Sequence, residues 1–425
     1  MSGVTQEATD GDEKVTVGAT LRQAPLAAKT LLVGVFVNRL SGFLNIFLVL
    51  FLSSKGYSTG QAAFALGVYG SGAIVGVFFG GALATRLGAR NASVISMASA
   101  SVLMASMIYL PSYGLILVTV ALVSLVGQLY RPASATLLSD LTPANRQVMI
   151  FAMYRFGINL GATIAPLLGF ALYNLGDKSY ALVFWCEGLI ALAYAALAWR
   201  TLPPRSAQAA LTAPQAGEEA DEEAAAEDKP RRGGYAAMMR DRRYVLYLVA
   251  MLLYAMVYAQ YLSTLPLDVE ARNVAVLWYT LAVSLNGFIV ICFELLLTKV
   301  TQAWPHRLTI SLTLVLLSAG VALYGLPLGP AVILLGTLIW SLGEIIGGPA
   351  SMAYPGIAGP AHLKAHYIGG FQFTWSLGTA LGPVLGGWLF IQLEHLVWPV
   401  VAVGSLVATM LVLAAVPGRA RPVAE

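Results

Sequence analysis

Apolar runs of about twenty residues, each closed by charge, proline or glycine, recur along the whole chain. They lie at about 30–53, 61–84, 92–109, 114–139, 147–173, 179–199, 243–266, 275–298, 308–326, 330–352, 364–390 and 394–416. A helix needs about 20 such residues to cross a hydrocarbon core about 30 Å thick. The alternation over about ten residues that marks a transmembrane barrel strand is absent. The pattern therefore predicts an all-α integral membrane protein of twelve transmembrane helices. Polar stretches divide it into a tail (1–29), a six-helix half (30–200), a linker (201–242), a second six-helix half (243–416) and a short tail (417–425). The linker combines Ala, Pro and Gln with an acidic run at 218–228 and a basic cluster ending at Arg243, a composition that predicts disorder or partial helix. Residues 1–29 are polar, with acids at Glu7, Asp10, Asp12 and Glu13, and no small-residue cleavage site follows the first apolar run, so no cleaved signal peptide is expected.

Composition closes off the soluble alternatives. The 425 residues are 58% hydrophobic and 11% charged, against roughly 25% charged in soluble domains. Soluble enzymes, nucleic-acid binders and disordered scaffolds are excluded on that ground. Cys186 and Cys292 each sit inside an apolar run, where buried thiols are expected and no disulfide framework or metal site is implied. Net charge says little, but its distribution orients the chain. Arg39, Arg131 and Arg155 lie inside apolar runs, Lys55, Lys178 and Arg272 lie in loops on one side, and every other Lys and Arg lies on the side shared by both termini. The positive-inside rule puts that side in the cytoplasm and the protein in the cell (plasma) membrane, multi-pass, with both termini cytoplasmic.

The two halves repeat. A shift of 217 residues carries Pro132–Ser134 onto Pro349–Ser351, Pro143 and Ala144 onto Pro360 and Ala361, Phe156 onto Phe373, Gly161 onto Gly378, Pro166 onto Pro383 and Gly169 onto Gly386. One offset serving consecutive segments without a gap implies duplication of a six-span unit. The halves should then be related by an axis along the membrane normal.

Residues 80–90, GGALATRLGAR, fall between the second and third spans. They resemble the loop signature G-x-L-A-D-R-x-G-R-[RK] of the major facilitator superfamily, with Gly81, Leu83, Ala84, Arg86, Gly88 and Arg90 on pattern and Thr85 in place of the Asp. That Asp helps latch the family's halves by charge, so Asp140 and Glu294 are the expected substitutes at a cytoplasmic gate with Gly81, Arg86, Gly88 and Arg90. GATIAPLLGF in the fifth span and GTALGPVLGG in the eleventh are similar to the G-x-x-x-G-P-x-x-G-G element of the superfamily's drug-proton antiporters. Gly161, Pro166, Gly169, Gly378, Pro383 and Gly387 are accordingly expected to let helices pack closely and bend.

Charges inside the spans carry the functional reading, because an ion near the bilayer centre costs at least about 2.5–3.5 kcal/mol and normally faces a cavity or partner. Glu344, among Gly343, Gly347, Gly348 and Pro349, is the leading proton-carrier candidate, with Glu187 second. Arg39, Arg131 and Arg155 stand at comparable depth in one half, as an anion-attracting vestibule or as partners for acids across the halves. Arg39 also matches the Arg of the peptide-transporter pattern E-x-x-E-R-F, but Val35, Asn38 and Leu40 replace its other members. Asn38, Asn45, Gln128, Asn159, Asn286 and Gln372 supply amides within spans, and Tyr254, Tyr258, Tyr261 and Trp375 supply aromatic faces, together a candidate substrate cavity.

These features point to a secondary transporter and not an enzyme. The expected function is proton-coupled export of small amphipathic or drug-like molecules by alternating access. Proton-coupled uptake of peptides or small nutrients is the alternative, and a membrane sensor or enzyme is the reading from another class. No nucleotide-binding loop, nucleophile motif or metal spacing occurs. The expected energy source is the proton gradient with no cofactor. The expected partners are the bilayer, protons and a small molecule, with no nucleic acid, and the protein is expected to act as a monomer.

Overall fold

The computed structural model describes residues 16–40, 42–212 and 234–418. Its helices are α1 (Val17–Gln23), α2 (Leu26–Leu40), α3 (Phe43–Ser54), α4 (Thr59–Ser106), α5 (Tyr113–Asp140), α6 (Gln147–Leu175), α7 (Ala181–Thr201) and α8 (Arg205–Thr212) in the first half and the start of the linker. Then come α9 (Gly234–Met238), α10 (Arg242–Ala271), α11 (Val276–Thr301), α12 (His306–Tyr324), α13 (Ala331–Ala353), α14 (Pro355–Ala358), α15 (Lys364–Leu393) and α16 (Val397–Ala415).

The expected twelve crossings form two six-helix halves, and two places depart from one helix per crossing. The second and third crossings run as α4, which turns at Gly88 with φ 75° and ψ 158°. Only glycine adopts that φ without strain. The first crossing is split into α2 and α3, with Gly42 non-helical at φ −75° and ψ 49°. Bilayer-spanning helices tolerate such a break where protein covers the freed backbone groups.

Glycine packing makes the duplication visible and brackets the split. Gly161 lies against Phe36, Arg39 and Leu40, and Gly378 against Leu252, Ala255 and Met256, each partner 216 residues later. One helical stretch further on, Gly169 lies against Phe43 and Phe47, and Gly386 against Gln260 and Thr264, now 217 residues later. The first span therefore has one residue fewer between the same two contacts than the continuous α10. The break at Gly42 falls between those two contacts. Gly387, expected among the close-packing glycines, has nothing within 4 Å; its neighbour Gly386 makes the contact.

Burial follows the solvent. Large apolar side chains are exposed around the outside, Leu167, Val384 and Ile391 at more than 70%, whereas Glu294, Asn286, Gln260 and Gln372 are buried. A lipid solvent favours that distribution, since polar groups must find partners inside. The same logic corrects the expectation for Cys292, which is exposed on the apolar outer surface; Cys186 is half-buried. The short α8 and α9 lie within the expected linker.

Candidate functional site

The two halves meet at the face where α7 ends and α10 begins, called here the linker face. Lys364 at the start of α15 pairs with Asp140 at the end of α5 at 2.7 Å. The Tyr235 hydroxyl of α9 donates to the Phe78 carbonyl at 3.2 Å, and Phe78 meets Phe373 edge-on at 5.1 Å between ring centres. Gly81 and Gly369 leave room for that crossing, since a Cβ on either would strike the Tyr235 hydroxyl. The loop signature is tied down from the linker: Ala89 N–H donates to Gln208 Oε1 at 3.1 Å, Arg205 to the Arg86 carbonyl at 2.8 Å, and Arg90 stacks over Trp199 at 4.0 Å.

Deeper along the same seam lies a charged knot. Arg155 stands on α6 two turns in from the linker face and reaches the opposite half. Its Nε donates to Glu294 Oε1 at 2.6 Å, one terminal nitrogen donates to Glu294 Oε2 at 3.3 Å, and that same nitrogen donates to Glu344 Oε1 at 3.0 Å. Glu294 is fully buried and the Glu344 side chain is 7% exposed. Asn286 Nδ2 donates to Glu344 Oε2 at 2.9 Å and to Ser341 Oγ at 3.0 Å, and the Tyr258 hydroxyl donates to Glu344 Oε1 at 3.3 Å. Glu344 thus accepts from three side chains on three other helices. Glu294, expected at the gate with Asp140, stands in this knot with Glu344, because its place on α11 faces α6.

Beside the knot is a cavity of about 160 Å³ whose walls come from both halves, with Arg39, Arg131, Arg155 and Asn159 on one and Tyr254, Tyr258, Glu344, Gln372 and Trp375 on the other. Helical spacing explains the grouping: Arg155 and Asn159, Tyr254 and Tyr258, and Glu344 and Gly348 are each i, i+4 pairs on one face. Tyr254 and Trp375 meet edge-on at 5.1 Å. Tyr261 is one turn further along and packs on Trp340 at 4.9 Å, away from this cavity's lining. A second cavity of about 280 Å³ opens within the first half, sharing Arg39 and lined also by Asn38, Tyr69, Gln128 and Glu187. The side chain of Asn45 lies outside the described residues.

Glu187 serves the broken span. Its Oε2 accepts from the Leu44 N–H at 2.8 Å, at the N-terminus of α3, where amides freed by the break point and where a negative charge is favoured. Sequence reasoning missed that cap, and it named Gly348 only as a neighbour of Glu344. A Cβ at Gly348 would lie 2.7 Å from the Arg155 guanidinium carbon, so this glycine clears the space the knot occupies. The only sequence signal for it was its place one turn after Glu344.

Twelve crossings in two halves around a seam cavity define a membrane transporter. The family model described as Major Facilitator Superfamily matches residues 31–383, and the chain belongs to that superfamily. It is 24% identical over 370 residues to the uncharacterized MFS-type transporter YqjV of Bacillus subtilis (strain 168), covering 84% of this chain and 85% of that one. It is 25% identical over 323 residues to the multidrug resistance protein MdtH of Escherichia coli (strain K12 / DH10B), covering 73% of each. Among solved structures, the proton:xylose symporter XylE superposes with a TM-score of 0.70 at 14% identity over 94% of this chain and 96% of that one. The transporter FucP in its outward conformation superposes at 0.69 and 14% identity over 92% and 98%. These likenesses are of fold. The protein is a transporter and not an enzyme.

Proposed function

We infer that the protein couples the proton gradient to export of small amphipathic molecules by alternating access. The observation that carries this reading is Arg155 of one half shared between Glu294 and Glu344 of the other, with Glu344 lining the seam cavity. Protonation of Glu344 removes one of the two ionic attachments that Arg155 makes to the opposite half. That biases the equilibrium toward opening there, and only a differential interaction of this kind can move such an equilibrium. The proton enters at a carboxyl whose other partners, Asn286 and Tyr258, can remain hydrogen-bonded to the neutral acid.

Export over uptake is favoured by the likeness to MdtH, named a multidrug resistance protein, and by the antiporter-like glycine-proline element. The basic linker face is read as cytoplasmic, with both termini there, in a plasma membrane and as a monomer. The test uses inverted vesicles with an imposed pH gradient and the amphipathic fluorescent anion 8-anilinonaphthalene-1-sulfonate, its uptake read by filtration. Accumulation inside that collapses on adding an uncoupler supports the reading. Accumulation indifferent to the gradient, or dye movement only down its own gradient, removes it.

A further inference from the structure

The three arginines at the seam are not equivalent. Arg155 is neutralised by two carboxylates. Arg131 has a single hydrogen bond among the described residues, to the neutral Gln128 Oε1 at 3.3 Å. The Arg39 side chain has no hydrogen bond or ion pair to any described residue. Both line the seam cavity and lie within electrostatic reach of one another. The one acid near them in the first half, Glu187, is turned to the Leu44 amide.

An arginine cannot shed its charge in a protein, and Arg39 and Arg131, both half-buried, bring two like charges to one cavity with no carboxylate partner among the described residues. Two such cations facing one cavity are a standing deficit that an incoming anion would relieve. Opposite them the second half contributes aromatic faces, Tyr254, Tyr258 and Trp375, with no free cation or acid beyond the Arg155 knot. The cavity therefore has a cationic wall on one half and an aromatic wall on the other.

We propose that the transported molecule is an amphipathic organic anion whose carboxylate or sulfonate binds Arg39 and Arg131 of the first half while its aromatic body stacks on Tyr254, Tyr258 and Trp375 of the second. This names the substrate class of the export reading and rests on that reading only for the word transported; the binding itself does not need the proton. A molecule that touches a different half at each end also stabilises the closed seam, which is where a substrate can bias alternating access. Arg131 is available because its one hydrogen bond goes to the neutral amide of Gln128, which lines the neighbouring cavity.

The test is equilibrium binding to the purified full chain in nanodiscs at one pH with no gradient, read by quenching of tryptophan fluorescence. The probes are naphthalene-2-carboxylate, naphthalene-2-sulfonate and the neutral naphthalene-2-carboxamide. Both anions should bind at least tenfold more tightly than the amide, since a site built for a charge rejects the analogue that lacks it. R39Q and R131Q should each weaken both anions at least tenfold and leave the amide within twofold, with R39K recovering part of the loss. Equal binding of anions and amide in the wild type overturns the proposal without any variant having to fold, and so does failure of either anion to bind at millimolar concentration. An equal change in all three probes in R39Q or R131Q would make these arginines conformational and also overturn it. Since no gradient is present, none of these outcomes depends on whether Glu344 carries protons.

Discussion

Replacing Arg155 by Gln should be among the most destabilising single changes in the chain, and the structure gives its size. The guanidinium makes two hydrogen bonds to Glu294, at 2.6 and 3.3 Å, and one to Glu344, at 3.0 Å, with Glu294 fully buried. Removing one member of a buried ion pair costs about 3–5 kcal/mol, chiefly because the abandoned charge stays buried. Here two acids lose one cation, which puts R155Q at the upper end of that range, about 4–5 kcal/mol. Asn286 still holds Glu344, so the abandoned acid that suffers most is Glu294. R155Q/E294Q should therefore recover more than half the loss, because two amides can hydrogen-bond in the same place without charge. Unfolding titrations with SDS in mixed micelles report these differences directly, and the double-mutant cycle isolates the pair term. If R155Q unfolds within about 0.5 kcal/mol of the wild type, or if adding E294Q makes matters worse, the knot is not the attachment described here.

Three further outcomes follow from named contacts. Gly348→Ala places a Cβ 2.7 Å from the Arg155 guanidinium carbon and should cost about 1–3 kcal/mol and at least a tenfold loss of gradient-driven transport; transport at wild-type rate would show that Arg155 has slack. Glu187→Ala removes the cap on α3 and should lower stability by about 1–2 kcal/mol in the same titration, whereas Glu187→Gln, which still accepts from Leu44 N–H, should keep gradient-driven transport; loss of coupling in Glu187→Gln at unchanged stability would give Glu187 a proton-carrying part. Asp140→Asn breaks a pair whose side chains are 15–18% exposed and should cost no more than about 1 kcal/mol, yet raise disulfide-trapping access at the linker face; unchanged access would remove the pair from the latch.

The architecture was legible because the bilayer writes a simple rule into the chain: an apolar run of one length per crossing, repeated at one offset in both halves. The same simplicity hides local departures. The split at Gly42 could not be read from hydropathy, since α2 and α3 are both apolar, and the missing residue shows only when the glycine contacts of the two halves are set side by side. Glu344 stood out because an acid amid glycines in a span has few innocent explanations, and its arginine partner across the seam was anticipated in kind. Which arginine was not legible, because Arg39, Arg131 and Arg155 share depth and differ only in the direction they face. Glu294 looked like a gate residue from its nearness to the linker face, but depth along a helix says nothing of which neighbour it meets. Glu187 looked like a proton site for the same reason Glu344 did, and only the broken span beside it reveals amides in need of a cap.

The most direct test of the central claim is the distance between the halves at the linker face, measured by spin labels at the exposed Asn145 and Ala361 in a background with Cys186 and Cys292 replaced. Glu344→Gln leaves Arg155 an amide oxygen to donate to but removes its charge, and the difference between a charge-assisted and a neutral hydrogen bond, about 1–1.5 kcal/mol, corresponds to a roughly five- to tenfold change in a two-state ratio. The account predicts that E344Q moves the distance distribution from the short, closed population toward a longer one at a pH where the wild type stays closed, and that acidification moves the wild type the same way. A distribution in E344Q that superimposes on the wild type across the whole pH range would mean that the Arg155–Glu344 link does not govern which face is open.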